Sequence, residues 1–127
     1  MYAGHTALTE IYTPERARAL NQFGDRLRER LNGIVRERQL AMQFTGIGSM
    51  IGVHMTGRPI RNAADAAEGH AGLLELFYFD LTARGIWFAK RGMMALSIAL
   101  DDTDADKLAA AVEEFAETRA PLFGGLA

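Results

Sequence analysis

The chain contains no cysteine. Disulfide frameworks, thiolate catalysis and zinc sites built on Cys are therefore excluded. Proline occurs three times and tryptophan once. Lysine occurs only as Lys90 and Lys107, so a catalytic amine has just two side chains to come from. No apolar run is long enough to span a bilayer. The most apolar stretches, 46–55 and 86–100, are short or interrupted by Gly, Lys and Arg. The first ten residues carry His5 and Glu10 and do not form a secretory signal. The expectation is a soluble cytoplasmic protein. A large excess of either charge is also missing: net charge is −2 and the pI about 5.9, which argues against a general polyanion binder.

What is present suits one globular domain. The chain has 127 residues, 49% apolar and 24% charged. Domains commonly hold roughly 100–150 residues, and a chain of this size buries roughly two thirds of its unfolded surface. Internal repeats and low-complexity segments are absent.

The strongest helical signal covers 13–38. Thr13 is a good N-cap, Pro14 suits the first helical position and Glu15 lies in the positive first turn. Leu20, Phe23, Leu27, Leu31 and Ile34 form an apolar stripe, with Asp25 and Arg28 one turn apart and off it. A short helix over 3–11 precedes it, with a break at Tyr12 and Thr13. From Gln43 to Met55, Val, Ile and Phe mixed with glycine predict two short strands or one bent strand. Residues 56–59 are turn chemistry, and Asn62 caps a short helix over 63–68. A second apolar helix covers 71–84, with Leu73, Phe77 and Leu81 inward, Leu74 and Tyr78 beside them and Gly85 as its stop. Ile86 to Ala89 and Met94 to Leu100 read as a strand pair joined by Lys90-Arg91-Gly92. Thr103 is expected to cap the last helix in a box with Asp106, with Leu108, Val112 and Phe115 buried. Pro121 and Gly124-Gly125 close the domain. The order predicts an α+β fold: a small, mainly antiparallel sheet with helices packed on one face.

Few constellations carry chemistry. Gly46, Gly48 and Gly52 miss the dinucleotide-loop spacing, since the third glycine comes one residue late and no long helix follows. Glycines that let a strand bend or pack closely are the plainer reading. Ser49 lacks a nucleophile elbow. His5, His54 and His70 share no metal-ligand spacing. The arginines of the first helix are spread around it among Asp25, Glu29 and Glu37, as on a solvated face. Lys90 and Arg91 stand out. They are either a charged hairpin tip in water or an anion site, with Arg suited to carboxylate or phosphate.

Six segments in order resemble one family. They are 1–8 with Tyr12-Thr13-Pro14-Glu15, Leu20-Asn21 with 24–28, 44–52, Pro59-Ile60-Arg61-Asn62, 85–89 and 100–104. Together they resemble the small C-terminal domain of class III (ornithine-type, fold-type I) pyridoxal-phosphate-dependent aminotransferases, with a flavour of glutamate-1-semialdehyde 2,1-aminomutase. The resemblance covers nearly the whole chain. It implies that 1–127 is that single small domain, that the large cofactor domain with its Schiff-base lysine is absent, and that no catalytic, cofactor-binding or metal-ligating residue carries over. The domain's implied role is to close the substrate pocket without being catalytic alone. Arg91, with Lys90, is then the candidate for the substrate carboxylate. The short basic segment 90–94 differs from the aminomutase pattern and fits a transaminase branch better. Pyridoxal phosphate belongs to the intact enzyme. The implied partner is a cofactor domain, in the same chain or a separate one, with homo-oligomers possible and neither nucleic acid nor membrane expected. The alternative is a stand-alone binding or dimerisation module. Whether the chain by itself is an enzyme stays open.

Overall fold

A computed structural model describes residues 1–124. Of the expected Gly124-Gly125 stop, Gly125 lies outside the described residues. The long helix begins where the sequence places it. The Thr13 hydroxyl accepts from the Arg16 amide at 3.3 Å and Pro14 opens α2 (Pro14–Glu37). Ahead of it lie α1 (Tyr2–Thr6) and a π-type turn over Ala7–Ile11. α2 buries Leu20, Gly24, Leu27, Leu31 and Val35. Phe23 and Ile34, expected on the stripe, sit half-buried at its edge. A helical turn holds 3.6 residues, so Val35 rather than Ile34 falls beneath Leu31. α2 ends at Gln39, whose φ is +55°. The Leu40 amide then bonds the Val35 carbonyl and the Gln39 amide the Arg36 carbonyl, which is a Schellman closure.

The chain returns as a hairpin. β1 (Gln43–Ile47) and β2 (Met50–His54) are antiparallel, with Phe44 opposite Val53 and Ile47 opposite Met50. Gly48-Ser49 is the two-residue turn, and Gly48 takes the positive φ that such turns need. β3 (Met93–Ala95) adds to β2, giving a three-stranded antiparallel sheet in the order β1-β2-β3. Side chains alternate across it. Phe44, Ile51, Val53 and Met94 face the core, while Thr45, Met50, Gly52, His54 and Met93 lie on the other face.

The helices cover one face only. α3 (Ala63–Ala67) is capped by Asn62, whose side-chain Oδ1 accepts from the Asp65 amide at 3.0 Å. α4 (Ala71–Ala83) buries Leu73, Phe77 and Leu81 as expected. Phe77 stands at the centre, with ring centroids 6.3 Å from Phe44, 5.6 Å from Phe88 and 5.0 Å from Phe115. It thereby joins sheet, loop and last helix in one aromatic cluster. α5 (Asp102–Arg119) buries Leu108, Val112 and Phe115 beside four alanines. Arg119 fixes α5 to α4 by two bonds to the Asp80 carboxylate, at 2.9 and 3.1 Å.

Three local expectations are corrected. Ile86 to Ala89 is not a strand. A Schellman closure at Gly85 (φ +78°) turns Ile86 back, its amide bonding the Leu81 carbonyl, so this segment packs through Phe88 without a ladder. The strand expected over Met94 to Leu100 shrinks to Met93–Ala95 and pairs with β2 instead. One further bond runs from the Leu96 amide to the Ser49 carbonyl before Ser97 to Leu100 turn away. The last helix is capped by Asp101, not Thr103. Asp101 accepts from the Thr103 and Asp104 amides while Asp104 accepts from the Asp101 amide, and Asp106 instead pairs with Arg30 at 2.7 Å. Asp and Thr are both good caps and both have an acid three residues on, but Arg30 of α2 takes Asp106 while Asp104 closes the box at Asp101.

Candidate functional site

The uncovered face of the sheet carries the site. Its geometry starts at Gly92, whose φ is +95°. A Cβ there would lie 2.8 Å from the Val53 carbonyl oxygen, and the Val53 amide donates to the Gly92 carbonyl at 2.8 Å. The 90–92 turn is thus pressed against β2 rather than extended into water as a free hairpin tip.

This contact separates the two basic residues. The Lys90 ammonium meets the Glu75 carboxylate at 2.6 Å and stands 5.4 Å from the centre of the Phe79 ring. The hydrogen bond and charge of Glu75 raise its pKa above the ordinary lysine value. Arg91 lies on the other side of the turn, at a groove of about 210 Å³ also lined by Thr45, Gly52, His54 and Met93. Among the described residues no carboxylate lies within ion-pair distance of Arg91.

Four arginines of α2 and its C-terminal end are committed. Arg28 pairs with Asp25, Arg36 with Glu29, Arg30 with Asp106 and Arg38 with both Glu113 and Glu117. The last two sets tie α2 to α5. His70 serves structure, its Nδ1 accepting from the Leu73 amide at the start of α4. His54 lies in the groove, 2.9 Å from the Thr45 hydroxyl through Nε2, and burial lowers its pKa. Neither Thr45 nor His54 stands out as a site residue in the sequence. The missed signal is the Gly48-Ser49 turn, which sets Thr45 opposite Gly52 and so beside His54. Among the described residues no three His, Asp or Glu side chains gather as a metal site. No described helix is long and apolar enough to cross a membrane.

Pyridoxal phosphate chemistry needs a neutral lysine amine to form its Schiff base. Lys90 does not fit, since Glu75 holds it as the ammonium. Lys107 is exposed on α5, outside the Arg91 groove. A second, apolar groove of about 220 Å³ runs between α2 and α5, with Phe23, Ile86, Trp87 and Leu100 among its walls. Trp87 there is 80% exposed.

The open face of the antiparallel sheet thus presents Arg91 with Thr45 and His54 in one groove. Comparison with known proteins shows what the chain is similar to. The chain is 40% identical over 115 residues to the β-phenylalanine transaminase of Variovorax paradoxus, covering 91% of this chain and 26% of that protein. The solved β-phenylalanine aminotransferase structure from the same organism superposes with a TM-score of 0.91 and 38% identity, over 94% of this chain and 28% of that one. A glutamate-1-semialdehyde 2,1-aminomutase of Opitutus terrae is 30% identical over 120 residues, covering 90% of this chain and 28% of its own length. No family model matches. The chain spans about a quarter of the length of these curated relatives. Over that quarter it belongs to the class III pyridoxal-phosphate-dependent aminotransferases.

Proposed function

We propose that residues 1–127 act as the small domain of a pyridoxal-phosphate-dependent aminotransferase, closing over a substrate pocket whose cofactor and Schiff-base lysine belong to a separate cofactor domain. The relative of known activity that carries this reading is the β-phenylalanine transaminase, matched over 91% of this chain. In this reading Arg91 receives the substrate carboxylate. Its fork of N–H donors suits a carboxylate bidentately, it lines the groove, and among the described residues no carboxylate pairs with it. Lys90, the other candidate, holds the turn to α4 through Glu75. The reaction would be amino-group transfer between an amino acid and an oxo acid, with this chain binding and orienting the carboxylate and excluding water.

The test is steady-state kinetics of the aminotransferase containing this domain. Arg91→Gln should raise KM for the carboxylate substrate at least tenfold, the loss of one charge-assisted pair worth roughly 1.5–3 kcal/mol. Lys90→Gln should change it little. Unchanged KM in the Arg91 variant would remove that residue from the pocket.

Exposed apolar surface favours a second reading, a self-associating module. Ile47 and Trp87 are each 80% exposed, and exposed apolar patches commonly mark contact surfaces. Sedimentation of the isolated chain decides: a concentration-dependent dimer supports this reading, and a monomer throughout opposes it.

A further inference from the structure

Two of the three glycines between positions 46 and 52 answer to the backbone. Gly46 and Gly48 have φ of +128° and +57°, where a side chain is strained. Gly52 has no positive φ, sits in the middle of β2 and pairs with Thr45 and Met93 on either side. A glycine inside a strand weakens it and often marks a close approach. Here the approach comes from side chains. A Cβ at Gly52 would stand 3.2 Å from His54 Nε2 and 3.3 Å from Thr45 Oγ1. The Thr45–His54 hydrogen bond therefore lies over a bare floor, in the groove that Arg91 lines.

That pair keeps a proton to give. If His54 Nε2 accepts, the Thr45 hydroxyl donates to it and the His54 Nδ1–H is left over. If Nε2–H donates, the Thr45 hydroxyl proton is left over. The Thr45 contact is the one hydrogen bond His54 makes through its ring among the described residues. Either tautomer thus leaves one uncommitted donor on the pair, in the groove that the Arg91 guanidinium also lines.

We infer that Thr45 and His54 are binding residues for the anion that Arg91 takes, donating a hydrogen bond to it across the open floor at Gly52. The ligand class is a small carboxylate with a second acceptor oxygen within reach, such as an oxo acid or a dicarboxylate. The inference rests on the assignment of Arg91 to a carboxylate and adds a second contact to it.

Malonate is a suitable probe, titrated into the isotope-labelled 127-residue chain at constant ionic strength and followed by NMR. Saturable shifts are expected at the Gly52, His54 and Gly92 amides, and Arg91→Gln should abolish them. Thr45→Val and His54→Phe should each weaken binding roughly three- to tenfold, the size of one net hydrogen bond. Thr45→Ser, which keeps the hydroxyl, should bind as the parent chain does. Well-dispersed spectra of each variant verify folding. If Arg91→Gln abolishes binding while Thr45→Val and His54→Phe bind normally, this inference fails and the Arg91 assignment survives. If malonate leaves the groove amides unmoved, or Arg91→Gln changes nothing, both fall.

Discussion

The Cα of Gly24 in α2 lies against the carbonyl of Gly48 in the β1–β2 turn, so closely that a Cβ on Gly24 would sit 1.9 Å from that oxygen. Asn21 and Asp25 flank the contact. Asn21 accepts from the Ser49 amide at 3.2 Å and Asp25 from the Gly48 amide at 2.9 Å. One turn of helix therefore grips the tip of the hairpin that carries Thr45 and His54. Alanine is the better helix former, yet Gly24→Ala should destabilise the fold by about 1–3 kcal/mol, because backbone must move. Gly33→Ala, with open space at its Cβ, should stabilise by about 0.5–1 kcal/mol. Urea unfolding of both variants checks the opposite signs.

Asp25 makes the same grip sensitive to acid. The Gly48 amide, followed by Arg28, holds its carboxyl below the ordinary value of 3.8. A lowered folded-state pKa contributes stability above the unfolded value, and that contribution is lost as pH falls through the folded one. Stability of the parent chain should decline below about pH 4, and Asp25→Asn should decline less steeply. Thermal melts from neutral to acid pH measure the difference in slope.

The start of α5 offers a direct contrast. Asp101→Ala removes the side-chain half of the capping box, the acceptor for the Thr103 and Asp104 amides, and should cost about 1–2 kcal/mol. Thr103→Ala should stay within about 0.5 kcal/mol. Equal losses in chemical denaturation would return the cap to Thr103.

Gln39 occupies a position that favours glycine. Its φ of +55° closes the end of α2, and the left-handed conformation costs an ordinary residue about 1–2 kcal/mol. Gln39→Gly should stabilise by about 0.5–1 kcal/mol once glycine's greater freedom in the unfolded chain is set against that. A lower melting temperature for the variant would contradict it.

Helices were legible because their signals are local. Thr13 with Pro14, Asn62, and Leu73 with Phe77 and Leu81 each act within a turn or two of chain, and all appear where expected. Strands were less legible because pairing partners are distant. Ile86 to Ala89 has strand-like residues, but the closure at Gly85 and the burial of Phe88 claim it first. Met93–Ala95 pairs with residues more than forty positions earlier, a choice no local pattern records. At the site, Lys90 and Arg91 look equivalent in sequence. Their division of labour appears only when Glu75 and Phe79 arrive from α4 and Gly92 meets Val53.

Composition, helical periodicity and the order of six short segments determined the α+β class, the helix positions and the kinship with class III aminotransferases, since each depends on residues near one another in the chain. Tertiary structure alone decided which face of the sheet stays open, which of Lys90 and Arg91 meets a carboxylate, and that Thr45 and His54 share a groove with Arg91. Those outcomes depend on side chains meeting through space after hairpin and helices have packed, where distance along the chain carries no information.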